Sequence, residues 1–135
     1  MAATSPETKA RPLSPHLSVW RWGPGMLVSI LHRVTGGALS VAGLALLVWW
    51  LSALAGGAET YGKFVTLATH PVGLVVLVGT TWAFFQHLLS GIRHLAMDTG
   101  AGFELDTNKR FAIATIVISL ILTALVWALF LGVLK

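Results

Sequence analysis

The chain has 135 residues, 56% of them hydrophobic and only 10% charged, with no cysteine and a formal net charge of +4. A soluble domain carries about a quarter charged residues, so the composition excludes an ordinary soluble fold and points to a membrane protein. The missing thiols exclude a disulfide framework, a thiolate-held zinc or iron–sulfur centre and a cysteine nucleophile. The basic balance does not imply nucleic acid, because the Lys and Arg residues flank apolar runs, where membrane topology accounts for them.

Residues 1–26 read as a polar and interfacial segment. Met1–Lys9 is polar and expected to be disordered, and Arg11–Pro24 (RPLSPHLSVWRWGP) is a Pro-rich stretch whose Trp20 and Trp22 suit the headgroup layer. It lacks the apolar core of a cleaved signal and is too poor in Arg for a transit peptide. Insertion by the first helix of a bacterial protein is the simpler expectation. Residues 27–135 then read as an all-α membrane anchor of three transmembrane helices, with spans at about 28–54, 71–96 and 110–134. Each exceeds the roughly 20 helical residues that cross a bilayer.

Between the spans, Ala55–Gly57 and Glu59–His70 make the first connection, and Pro71 suits the first turn of the second helix, where its missing N–H costs little. Thr99–Asn108 makes the second connection, with Thr107 or Asn108 as a cap for the third helix. Lys9, Arg11, Arg21, Arg33, Arg93, Lys109 and Arg110 fall on one side, against Lys63 and Lys135 on the other. That asymmetry places the N-terminus in the cytoplasm, or in the matrix if the protein is mitochondrial.

His87 is the first candidate for chemistry. It lies eight residues inside Leu95, about 12 Å along a helix, in a stripe with Thr80, Ala83, Gly91, His94 and Asp98. An ionisable side chain at that depth marks a functional site by default. A neutral imidazole there can ligate a metal or haem iron, relay protons, or form an inter-helix hydrogen bond. A second cluster, Ser29, His32, Arg33 and Gly36 (SILHRVTGG), opens the first span at a similar depth on the same side. Arg33 alone reads as a snorkelling residue. Beside His87, His32 and Arg33 can pair with haem propionates, or Ser29 and Arg33 can hydrogen-bond a quinone oxygen. Gly36, Gly37 and Gly91 permit close helix approach. Arg93 and Asp98 are expected to form a surface charge network with Lys109 or Arg110. The tryptophans read as anchors or packing residues. No second deep histidine is placed to face His87 across a haem, so a six-coordinate iron needs its other ligand from another chain.

RPLSPHL, SILHRVTG at the entry to the first span and HLLSGIRHLAMD at the end of the second resemble the cytochrome b subunit of succinate dehydrogenase, the membrane anchor of respiratory complex II. The resemblance covers essentially the whole chain. It implies one haem b shared with a second small hydrophobic anchor subunit, and docking of an iron–sulfur subunit and a flavoprotein subunit. It further implies His87 as the haem axial ligand, Ser29 and Arg33 as ubiquinone contacts, and His32, Arg33 and His94 near the haem propionates. Succinate is then oxidised in the flavoprotein, and this chain contributes to electron transfer to quinone in the respiratory chain and tricarboxylic acid cycle. The implied location is the bacterial inner membrane, or the mitochondrial inner membrane.

Other readings remain open from the residues alone. One is a haem-free structural anchor, and another is the anchor of a quinol:fumarate reductase. A proton relay through His87 and His94 ranks last, because beyond Thr80 and Thr81 the outer half of the second span is Val, Leu and Gly.

Overall fold

A computed structural model describes residues 12–133; Lys9, Arg11 and Lys135 of the charge asymmetry, and the expected disorder of Met1–Lys9, lie outside the described residues. Pro12–Gly23 holds no helix or strand, only a turn closed by Ser18 N–H donating to the Pro15 carbonyl at 2.9 Å. Four helices follow. Helix α1 runs Pro24–Ala55, with a π-helical turn at Leu39–Gly43 between two α-helical parts. Helix α2 is Ala58–Thr69, α3 is Pro71–Asp98 and α4 is Leu105–Val133. Three of them, α1, α3 and α4, are long and apolar enough to cross a membrane.

The burial pattern is inverted relative to a soluble protein. Leu, Ile, Val and Phe side chains dominate the exposed surface, whereas the seams between helices hold small and polar groups. Lipid tails are as apolar as leucine, so helices in a bilayer gain little by hiding large apolar groups from one another. Close approach and internal hydrogen bonds hold them instead. Between α3 and α4 the fully buried Ser119 hydroxyl donates to Gln86 Oε1 at 2.8 Å, and Gln86 Nε2 donates to Ser90 Oγ at 3.1 Å. Farther along the same pair, Trp127 Nε1 donates to Thr81 Oγ1 at 3.3 Å.

The first connection departs from expectation, because most of it is the helix α2. Gly57, at φ 86°, makes the turn that a side chain would strain. Thr60 Oγ1 then ties the turn down by donating to the Ala53 and Gly57 carbonyls at 3.1 and 2.9 Å. Helix α2 lays Phe64 against Trp49 at 4.6 Å between ring centroids and exposes Glu59 and Lys63, which pair at 2.7 Å. It ends against α3, where Gly73 leaves no room for a Cβ beside the Leu67 and Ala68 carbonyls. Pro71 does open α3, and His70 caps it by accepting from Val72 N–H at 3.4 Å.

The second connection is shorter than expected. Helix α4 begins at Leu105, so Thr107 and Asn108 sit inside its first turn and cannot be its cap. Asn108 instead accepts from Arg93 on α3. The expected charge network therefore does not form. Arg93 is buried, Asp98 is exposed, and Lys109 reaches only Asp106, at 3.8 Å.

The buried amide–hydroxyl link gives the fold its test. A double-mutant cycle with Gln86→Leu and Ser119→Ala should return a coupling of about 0.6–1.7 kcal/mol. It is read from reversible unfolding of the solubilised protein, and additive losses would mean that the link is not made.

Candidate functional site

Helix α1 crosses α3 where two small residues face two imidazoles. A Cβ on Gly36 would stand 2.8 Å from His87 Cε1, and one on Gly91 would stand 3.9 Å from His32 Cε1. Gly36 is thus obligatory for the crossing and Gly91 comfortable, while Gly37 faces open space. Of the three glycines expected to bring helices together, Gly36 carries the constraint.

At this crossing the His87 and His32 rings stack with centroids 4.0 Å apart and planes 4° from parallel. The His94 ring lies 5.1 Å from His32, tilted by 32°. His87 Nδ1 lies 3.0 Å from the His32 carbonyl oxygen, which can only accept, so Nδ1 carries the proton and donates. Thr35 Oγ1 lies 3.4 Å from the same nitrogen and spends its own proton on the Leu31 carbonyl at 2.7 Å, leaving a lone pair toward Nδ1–H. His87 Nε2 then holds the free lone pair and has no partner among the described residues. His94 repeats the pattern, its Nδ1 donating to the Ser90 carbonyl at 2.8 Å. His32 Nδ1 is buried without a partner.

The structure therefore brings His32, His87 and His94 together, as their spacing and common side suggested. Ser29 and Arg33 lie next to His32 on α1, half-buried and exposed respectively. Neither side chain hydrogen-bonds to the imidazoles among the described residues. Sequence reasoning gave no role to Thr35 or to the His32 carbonyl. Thr35 was reachable, because it lies three residues from His32 on the same helical face. Among the described residues no group of three or more His, Asp or Glu side chains could close around a bare metal ion. His87 and His94 each engage Nδ1 with a backbone carbonyl and leave Nε2 without a hydrogen-bond partner among the described residues.

With that geometry in place, comparison with known proteins decides the family. A model described as the succinate dehydrogenase/fumarate reductase transmembrane subunit matches residues 7–126. The chain belongs to this family. It is similar to the succinate dehydrogenase cytochrome b556 subunit of Paracoccus denitrificans, with 38% identity over 120 residues, covering 89% of this chain and 92% of the relative. The corresponding subunit of Rickettsia felis is 38% identical over 117 residues, covering 87% and 90%. The mitochondrial cytochrome b560 subunit of Bos taurus is 36% identical over 118 residues, covering 84% and 68%. The histidine crossing, the two sequence clusters that build it, the first two spans and most of the third lie within the matched segment.

The tautomer makes a direct prediction. Histidine-labelled protein should show His87 with its proton on Nδ1 in 15N spectra. Gly36→Ala should shift that resonance set, because the new methyl drives the ring off the His32 carbonyl. Identical spectra for the two proteins would remove the hydrogen bond from the site.

Proposed function

We propose that this chain is the cytochrome b anchor of a succinate:quinone oxidoreductase, with His87 as an axial ligand to one haem b and Ser29 and Arg33 at the quinone-reduction site. The observation that carries the reading is the free Nε2 of His87, whose ring is held in one tautomer by the His32 carbonyl. Ligating histidines characteristically donate their other ring N–H to a carbonyl or carboxylate, which fixes the ring and raises its basicity. The donor chemistry fits a haem. His32 and His94, stacked beside His87, and Arg33 on the next position of α1 are the groups available to propionates.

Bound there, the haem supplies a one-electron couple within the membrane. His32 would not supply a second iron ligand, because its ring is stacked on that of His87 with centroids 4.0 Å apart. The second ligand is assigned to another small anchor subunit. Electrons are assigned to an iron–sulfur subunit fed by a flavoprotein, since this chain has no cysteine and no dinucleotide-binding loop. Ubiquinone is the proposed acceptor.

The chemistry at Ser29 and Arg33 follows from the charge that reduction creates. Two electrons entering a quinone place negative charge on its oxygens, which a hydroxyl donor and a fixed guanidinium stabilise in a water-poor setting. Ser29 and Arg33 are one turn apart on the same face of α1. Because Arg33 is exposed, a quinone held there would need a partner chain to close its pocket. The Lys and Arg asymmetry orients the N-terminus and the α3–α4 connection toward the cytoplasm of a bacterial inner membrane, or toward the matrix of a mitochondrion.

Two substitutions test the halves separately. His87→Leu should abolish the reduced-haem absorption of the purified complex while its subunits still co-purify; an unchanged spectrum would exclude His87 as ligand. Arg33→Leu removes an exposed side chain and should leave assembly intact. It should lower succinate–quinone turnover on the order of 100-fold while sparing succinate oxidation by an artificial dye. Equal loss of both activities would assign Arg33 to assembly.

A further inference from the structure

Arg93 is a buried cation with no carboxylate within 4.0 Å among the described residues, the nearest helix start carrying Asp106 on its exposed side. It is 8% exposed, one terminal nitrogen donates to Asn108 Oδ1, and Nε is buried without a partner. No carboxylate pairs with it among the described residues. The first turns of two other helices close on the same corner. Asn108 belongs to the start of α4, and a Cβ on Gly25, at the start of α1, would lie 3.3 Å from Asn108 Oδ1 and 3.9 Å from an Arg93 nitrogen. Each helix start carries about half a positive charge, so a guanidinium and two positive helix ends share one partly dehydrated corner. A charge so placed is costly unless something of opposite sign completes it. Backbone N–H groups at helix starts are themselves suited to phosphate.

The corner opens onto an apolar groove of about 230 Å³ between α3 and α4, lined by Leu89, Ile92, Ala96, Phe111, Ala114 and Ile118. These residues span two turns of each helix, about 10 Å along the axis, so the groove runs from the guanidinium toward the middle of the bilayer. Arg93 itself lies five residues inside Asp98, roughly 7 Å below the end of α3. A charged head at interfacial depth with a narrow apolar track beneath it has the shape of one amphiphile. We infer that this corner binds the phosphate of a membrane phospholipid, with one acyl chain seated in the α3–α4 groove. A free phosphate would satisfy the guanidinium and leave the groove bare. A carboxylate from a partner chain would approach from the aqueous side and make no use of the track.

The test uses the protein purified in its native assembly, stripped of loosely held lipid and incubated with detergent micelles containing phosphatidylglycerol. Retained lipid phosphorus is counted per mole of this chain. The wild type should retain about one lipid more than two variants, each weakened about tenfold or more in affinity. Arg93→Gln removes the charge, and Ala114→Leu fills the groove without touching the guanidinium. Equal retention in all three proteins would overturn the inference. So would displacement of the lipid by inorganic phosphate alone, or loss of a partner subunit in Arg93→Gln while Ala114→Leu retains its lipid. Should Arg93→Gln fail to assemble, Ala114→Leu still decides the matter by its lipid count.

Discussion

Inside a bilayer no water is available to satisfy a ring nitrogen, so an imidazole on a spanning helix must find a partner within the protein. The Nδ1–H of His87 finds the backbone carbonyl of His32, at the one place where a glycine lets α1 and α3 approach closely enough. That single bond settles several things together. It chooses the tautomer, it lays the His32 ring flat against the His87 ring, and it leaves one lone pair without a partner among the described residues. The polar character of the crossing follows from a steric permission at Gly36.

Helix α3 is held from two directions. His87 turns toward α1, while its neighbour Gln86 is fully buried and bonds to Ser119 of α4. Adjacent residues on a helix point about 100° apart, so these two anchors fix the rotation of α3 about its axis. Neither would do so alone, since a helix held on one side can still roll against lipid. The direction of the His87 lone pair therefore depends on a serine on the far side of the helix that never approaches the imidazole.

The three spans were legible because apolar runs of that length have little use outside a bilayer, and the meeting of His32, His87 and His94 followed from helical period plus membrane side. Helix α2 was hidden by its composition. Glu59, Thr60, Lys63 and Thr66 look like a polar connection, although Phe64 and Ala68 supply an inward face. The start of α4 was misplaced because Thr107 and Asn108 are good capping types, and nothing local shows that Arg93 claims Asn108 from another helix. Arg93 itself resembles a surface cation by residue type and position, and only three-dimensional packing reveals its burial. The role of the His32 carbonyl could not be seen in any sequence, since every residue carries that group.

The π turn at Leu39–Gly43 bears on how the chain meets its surroundings. A π turn accommodates one more residue than an α turn and is frequent at functional sites. It lies just beyond Gly36, so it separates the part of α1 fitted to His87 from the part beyond it. That outer part diverges from α3 enough to leave a groove of about 570 Å³ lined by Leu39, Gly43, Leu47, Leu77 and Phe84. Nearby, Ala38, Ala42, Gly79 and Ala83 line a smaller depression of about 160 Å³, and Ala83 lies one turn from His87. Small residues on facing helices are what close packing of another membrane segment requires. Ala83 puts this cut-back surface on the same stripe of α3 as His87, so another membrane segment packed there would approach the side of α3 that carries the candidate ligand.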